Sequence, residues 1–277
     1  MTLTWTAAQA RDWIAVPGRS DDKYTRGVLG IITGSPDYPG AAVLGVEAAM
    51  RTGVGMVRYV GPRAVRAAVL LRRPEVVTGT GRVQAWLIGS GMNPARRTFL
   101  VAGEIKQAML EGVPTVLDAG ALDLIGDAAG PLVITPHARE LARVLEPTHP
   151  DATAEAIAKD PAEWAGRAAE ALGATVLLKG STTHAAHPGA DVIAVPDAPG
   201  WLATAGTGDV LAGILGALVA THSDEIRSDA GVALPALAAT AAWLHGRAAE
   251  LASGGGPITA LDVAEDVPPT IAALLAG

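Results

Sequence analysis

The chain has 277 residues, a net charge of −7 and an apolar fraction of 49% with a single Phe, enough for a sizeable core of small and branched aliphatics. It contains no cysteine, which excludes disulfides and thiolate metal sites. Its arginines stand singly or in pairs (Arg72-Arg73, Arg96-Arg97) with no basic stripe among aromatics, so nucleic acid is not an expected partner and the pairs are expected to face solvent.

The opening residues, MTLTWTAAQARDW, show neither a basic leader nor an apolar export segment. From there the pattern is strand, turn, helix, repeated. Val28 to Thr33 is predicted as a short buried strand ending at Gly34-Ser35. Pro39-Gly40 opens a helix, since proline suits the first helical turn, and Gly53 closes it with a left-handed cap after Ala41 to Thr52. Val54 to Val60 reads as a strand and Arg63 to Arg73 as a helix. Further strands are expected at Ala85 to Ile88, Thr115 to Leu117 and Pro131 to Ile134. Each is continuously apolar and followed by Gly, Asp or Pro, the pattern of strands buried on both faces of a parallel sheet. Glu146 to Asp160, polar and proline-bearing, is expected to be a surface loop.

A helix to about Leu172, a strand over Ala174 to Leu178 and a hairpin within Ser181 to Val195 come next. The segment GWLATAGTGDVLAGILGAL then opens an apolar helix, with two or three more helices behind it. Its longest apolar-or-glycine run, Val210 to Ala220, falls far short of the ~20 residues of a spanning helix, so a soluble, cytoplasmic protein without a membrane partner is expected. The alternation predicts an α/β protein, a three-layer α/β/α sandwich with a mostly parallel central sheet, as one domain over 1–277. Ligands of such folds bind at the carboxyl ends of strands, where Gly34, Gly89 to Gly91, Asp118, His137 and Lys179-Gly180 fall.

The common phosphate motifs fail here. No Gly-Lys pair exists for a Walker A loop, and neither GSPDYPG nor GSGMNP supplies the GxGxxG of a dinucleotide fingerprint. AGTGD offers something different. A helix N-terminus carries unpaired N–H groups and partial positive charge, and Ala205, Gly206, Thr207 and Gly208 leave those groups open to a phosphate. Asp209 falls in the first turn, where the dipole is expected to favour its ionised form and a neighbouring hydroxyl could lose its proton to it. A plain capped helix start is the competing reading of the same residues.

Gly-Thr-Gly-Asp before a small-residue helix resembles the anion hole and catalytic aspartate of the ribokinase-like superfamily. More narrowly, KYTRGVLGIITGSPDYPGAAVL, LIGSGM, VLDAGALDLI, VITPHARELARVL, VLLKGSTTHAAHP, GWLATAGTGDVLAGILGAL and AAWLHGRAAELA, in this order, resemble the ADP/ATP-dependent NAD(P)H-hydrate dehydratases, which repair hydrated nicotinamide cofactors. The likeness runs from about Asp22 to the last helices.

The resemblance implies roles for particular residues. Ala41 and Ala42 would form one wall of the hydrate site, although Asp37 and Pro39 stand where relatives commonly show glycine and threonine. Gly91 would give a backbone contact to substrate, in a turn loosened by Ser90 where the family has proline. His137 would face the nicotinamide nucleotide half, with Arg139 in place of a usual glycine. Lys179, Gly180, Ser181, Thr182 and Thr183 would bind the adenine nucleotide together with Ala205, Gly206, Thr207 and Gly208, and Asp209 would be both catalytic base and substrate contact. Asp118 has two readings, a magnesium-linked or orienting acid and a plain helix cap; Glu140 would help position a phosphate-metal cluster. His149, His184, His187, His222 and His245 form no metal spacing, His245 reads as structural, and no metal ligands are assigned.

By the same resemblance, Mg2+ would be the cofactor, ADP or ATP the co-substrate (ADP preferred), and the S-form of NAD(P)H hydrate the substrate. The protein would be a homotetramer, with the epimerase of the pathway a separate partner because 277 residues leave no room for a fused one. A ribokinase-like small-molecule kinase, of the hydroxymethylpyrimidine or sugar type, shares Asp209 but is not favoured by GSPDYPGAAVL and TPHARE; a silent nucleotide sensor would have no need of Asp209.

Overall fold

The computed structural model describes residues 1–196 and 198–277. In chain order the elements are β1 (Thr2–Thr4), α1 (Ala7–Asp12), β2 (Val28–Ile32), α2 (Pro39–Thr52), β3 (Met56–Tyr59), α3 (Arg63–Arg72), β4 (Val77–Thr78), β5 (Ala85–Ile88), α4 (Phe99–Leu110), β6 (Thr115–Leu117) and β7 (Leu132–Ile134). They continue with α5 (Ala138–Leu145), α6 (Ala154–Lys159), α7 (Pro161–Leu172), β8 (Thr175–Leu178), β9 (Thr183–Ala186), β10 (Val192–Val195), α8 (Thr207–Thr221), α9 (Ser223–Ser228), α10 (Ala230–Ser253), α11 (Ala260–Glu265) and α12 (Val267–Ala276).

The strands form one sheet in the order β1-β10-β9-β8-β7-β6-β5-β2-β3-β4. Only β9 runs antiparallel to its neighbours; every other pairing is parallel. Successive side chains of a strand point to opposite faces, and here that alternation feeds two separate cores. Leu29, Ile31, Leu87, Val116, Val133 and Leu177 join α2, α8 and α10 on one face. Val28, Ile32, Ile88, Leu117, Ile134 and Val176 join α4, α5 and α7 on the other. Apolar residues at consecutive positions are thus the signature of a strand covered on both sides, and the expected three layers are present.

Small residues let the helices of the first face close up. A side chain on Gly213 of α8 would collide with the Gly45 carbonyl of α2, so these two helices pass almost backbone to backbone. Gly53 ends α2 with φ +102°, as expected of a left-handed cap.

Several expectations are corrected. The supposed loop over 146–160 contains α6, too short to show a period, held by a Thr153 cap and by the fully buried Ile157. Four helices, not two or three, follow α8. β1, α1, β4 and α4 are additions to the expected elements. Arg72 and Arg73 do not simply face solvent. With Arg51 they surround the buried carboxylate of Glu47 on α2. Burial alone would push that carboxyl up; the three guanidiniums outweigh it and lower it to about 2. Arg97 likewise pairs with Asp123 and the Gly120 carbonyl.

Candidate active site

Five adjacent parallel strands, β2, β5, β6, β7 and β8, end side by side, and their last residues are tied together by hydrogen bonds. The Gly34 N–H donates to the Ser90 carbonyl at 2.7 Å. The Ser90 hydroxyl donates to Asp118 Oδ2 at 2.8 Å, and the Thr135 hydroxyl to Asp118 Oδ1 at 2.7 Å. Lys179 Nζ, from the end of β8, donates to Asp118 Oδ1 at 2.9 Å. Close turns make this possible. Gly89 has φ +113°, and a side chain there would strike the Asp118 carbonyl. Ala119, just after Asp118, is the one non-glycine with positive φ among the described residues, at +46°, a conformation that persists only where the surroundings impose it.

Asp118 is therefore not a helix cap. It occupies an N-cap position but makes no capping bond, its side chain being turned into the polar cluster. Ser90 does more than loosen its turn: it supplies a hydroxyl to Asp118 that the family's proline could not. Burial acts to raise the Asp118 carboxyl, yet the Lys179 ammonium and the two hydroxyls hold it below the usual carboxylate range. Burial acts to lower Lys179, and the charges of Asp118, Glu140 and Asp209 keep it above its ordinary value. Lys179 Nζ lies 3.9 Å from Glu140 Oε2.

The mouth of α8 faces this cluster. Its N-cap is Gly206, at φ +93°, with no side chain capping the first turn. The Thr207 hydroxyl is turned the other way, donating to the carbonyls of Leu202 and Thr204 at 2.9 and 3.0 Å. Gly208 sits opposite the ammonium: a Cβ there would come within 3.7 Å of Lys179 Nζ. Bare N–H groups on one side and a buried lysine on the other make a cradle for an anion.

Asp209 stands one residue further into the helix, half-buried, and no described residue donates a hydrogen bond to its carboxylate. Its carboxyl is pushed up to about 6, first by burial and then by the charge of Asp118, with Lys179 opposing. The expected stabilisation of its ionised form by the helix dipole is overruled, because desolvation in this pocket is the larger effect. Two neighbouring carboxylates are thus driven apart, Asp118 fixed as an anion and Asp209 poised near neutrality, a division that marks an acid/base site.

His137 caps α5: its Nδ1 accepts from the Glu140 N–H at 3.2 Å, and Glu140 Oε2 accepts from the His137 N–H at 2.9 Å. Its ring is half exposed and lines a cavity of about 540 Å³ shared with Lys179, Gly180, Thr207, Gly208 and His245. Ser181 and Thr183 also line it; Thr182, Ala205, Gly206 and Asp209 do not. Ala41 and Gly91 meet away from that cavity, since a side chain on Gly91 would collide with the Ala41 methyl. Ala42 is fully buried beneath the loop at Gly34, so its side chain has no open face.

His245, expected to be structural, is buried on α10 and also lines the cavity beside the helix mouth. Its Nε2 is buried with no partner among the described residues, and burial lowers the ring to about 4, keeping it neutral. Nothing local marks this position on an alanine-rich helix; only the packing of α10 against α8 brings it there.

The donor set also bears on magnesium. Among the described residues no group of three or more His, Asp or Glu side chains gathers to hold a metal ion. Asp118 is already filled by three donors. Mg2+ usually keeps several waters and is held through one or two carboxylates plus substrate phosphates. The site fits a magnesium ion carried on the phosphates of a nucleotide, and not a dedicated cage.

The sequence profile of the family described as NAD(P)H-hydrate dehydratase matches residues 29–266. The chain is 42% identical over 218 residues to the bifunctional NAD(P)H-hydrate repair enzyme Nnr of Mycobacterium tuberculosis, covering 74% of this chain and 43% of that protein. It spans about half the length of the bifunctional relatives it matches, 51% in Mycobacterium leprae. The ADP-dependent (S)-NAD(P)H-hydrate dehydratase of Neisseria meningitidis is 32% identical over 273 residues, 91% of this chain and 86% of that one. Among solved structures, the Bacillus subtilis ADP/ATP-dependent NAD(P)H-hydrate dehydratase co-crystallised with ATP/Mg2+ superposes with a TM-score of 0.84 at 25% identity, over 98% of both chains.

Proposed function

The chain belongs to the NAD(P)H-hydrate dehydratase family, and we propose that it uses ADP or ATP to return the S-form of hydrated NADH or NADPH to the reduced cofactor, releasing phosphate and AMP or ADP. The observation that carries this reading is the pairing of an uncapped helix mouth with an aspartate raised to about 6.

The donor's terminal phosphates lie on the N–H groups of Ala205 to Gly208, opposite Lys179, which the buried Asp118 holds in place. Lys179, Gly180, Ser181 and Thr183 guide the nucleotide along the cavity toward His245, with Thr182 in the bend that carries them. Ala41, Ala42 and Gly91 bound the opposite space for the hydrated nicotinamide, the buried Ala42 acting by keeping the loop close, and His137 meets the nicotinamide half from the wall of the cavity it shares with Lys179. Magnesium carried in with the nucleotide would supply charge neutralisation there.

Asp209 accepts the proton of the ring hydroxyl as its oxygen attacks the terminal phosphorus and the bond to the departing nucleotide breaks. The phosphorylated oxygen then leaves the ring as inorganic phosphate, pushed by the lone pair of the ring nitrogen. Loss of the adjacent ring proton completes the double bond. Positioning and charge stabilisation account for most of the rate in such transfers.

The same reading makes residues 1–277 one ribokinase-like unit, assembled as a cytoplasmic homotetramer and working in the same pathway as an NAD(P)H-hydrate epimerase; light scattering tests the assembly. No helix among the described residues is long and apolar enough to cross a membrane.

The deciding assay incubates protein with hydrated NADH or NADPH, Mg2+ and ADP or ATP, and follows returning dihydronicotinamide absorbance. Recovery requiring the nucleotide is expected, as is a loss of about 10²- to 10⁴-fold in Asp209→Asn, the usual cost of deleting a general base. Full activity in that variant would falsify the assignment of the base.

A further inference from the structure

A second cavity, of about 550 Å³, opens on the other half of the sheet among the loops after β2, β3 and β5, with Gly34, Arg63, Arg66, Met92, Arg96 and Glu104 in its walls. The nucleotide cavity lies at the ends of β7 and β8; α8, bearing Asp209, packs over β2, β5 and β6 between the two. The new cavity adjoins the proposed hydrate site, because a side chain on Gly91 would come within 3.3 Å of Gly34 Cα as well as striking Ala41.

Its charge is unusual for a chain of net −7. Four arginines line it, Arg63, Arg66, Arg96 and Arg97, against two carboxylates, Asp37 and Glu104. Arg96 is paired with Asp37 and Arg97 with Asp123. Arg63 and Arg66, on successive turns of α3, make no ion pair with any described residue, and Arg66 Nε is buried without a partner. Glu104 faces them from α4; burial pushes its carboxyl up while both arginines pull it down. Two guanidiniums without ion-pair partners lining one cavity, opposed there by the single carboxylate of Glu104, are a receptor for an anion.

The ligand follows from the proposed reaction, on which this inference rests. A dinucleotide whose nicotinamide ring is at Asp209 must place its other nucleotide beyond the Ala41–Gly91 strip, and the donor already fills the cavity at Lys179. We propose that the second cavity binds the phosphate-bearing adenosine arm of the hydrated dinucleotide, with Arg63 and Arg66 as its anion contacts. A 2′-phosphate and the pyrophosphate present the same chemistry to these guanidiniums.

The test measures NADPH, NADH and ADP affinity by calorimetry for the wild-type protein, the double variant Arg63→Gln/Arg66→Gln and the charge-preserving Arg63→Lys/Arg66→Lys, with wild-type turnover alongside. Loss of charge-assisted phosphate contacts is expected to weaken NADPH binding by about tenfold or more in the Gln variant, less in the Lys variant, with ADP affinity unchanged. A loss confined to NADPH identifies the 2′-phosphate as the contact; an equal loss for NADH identifies the pyrophosphate. Unaltered NADPH affinity in the Gln variant, or a parallel fall for ADP, overturns the proposal. The two readings fail separately: without wild-type turnover, arginine-dependent NADPH binding still marks a dinucleotide site, whereas turnover with unaltered affinities sinks the cavity assignment alone.

Discussion

Asp209 and Asp118 carry the same side chain and differ because of what surrounds them. Asp118 has a lysine and two hydroxyls; Asp209 has burial, a neighbouring anion and no donor from a described residue. A base with a pKa near 6 must lose its proton before it can work, so kcat/KM should rise with pH through about 6 and level off above it. A profile already flat across pH 4.5 to 8 would contradict this. The same shift is a stability statement. The folded pKa of about 6 lies above the ordinary aspartate value of about 3.9, so the folded state holds this proton more tightly. Stability from that proton is complete below about 4 and is lost as pH rises through about 6, leaving a cost of at most about 3 kcal/mol at pH 7. Asp209→Asn removes the charge and should melt higher than wild type at pH 7 while being inactive, the reverse of a merely structural aspartate. The two proteins should converge near pH 4.

Helix α8 has two demands on its glycines. Gly206 must hold a left-handed conformation, and a side chain there would also lie 2.6 Å from Leu44 Cδ1. Gly208 has ordinary helical geometry, and an added methyl would meet only Lys179 Nζ, at 3.7 Å. These glycines therefore separate folding from binding. Gly208→Ala should fold normally, since alanine is the better helix former by about 1 kcal/mol, yet the methyl takes the space between helix mouth and ammonium. ADP affinity should fall by about tenfold or more with Tm unchanged or raised. Unchanged ADP affinity in calorimetry would remove the phosphate from this helix mouth.

The sheet, taken with its two covering layers, explains why the site exists where it does. Parallel strands bring the ends of β2 to β8 to one edge, and α2 and α8 stand over that edge because Gly45 and Gly213 let them close. A ligand bridging α8, Lys179 and α10 ties the last third of the chain to the sheet. ADP with Mg2+ at a hundred times its Kd should stabilise the fold by about 2.7 kcal/mol, seen as a rise in Tm. That rise should vanish in Gly208→Ala; a full shift in the variant would show the nucleotide seated elsewhere.

Strands β5 and β6 were legible to the residue, and β2, β3, β7 and β8 to within two residues at each end, because burial on both faces writes a continuous apolar run that no surface element tolerates. The start of α8 was legible as well, because Gly206 and Gly208 leave the backbone bare just ahead of a continuous apolar run. The short α6 and the Glu47 cluster were not, since both depend on partners distant in the chain. Nor could any local pattern have revealed that Ser90, Thr135 and Lys179 converge on Asp118, that His245 lines the cavity, or that Arg63 and Arg66 make no ion pair with a described residue. Backbone preferences and hydrophobic periodicity act over neighbouring residues and are written in order along the chain. Desolvation and charge act through space, so the sign of the shift at Asp209 exists only once Asp118, Lys179 and the covering helices have been folded around it.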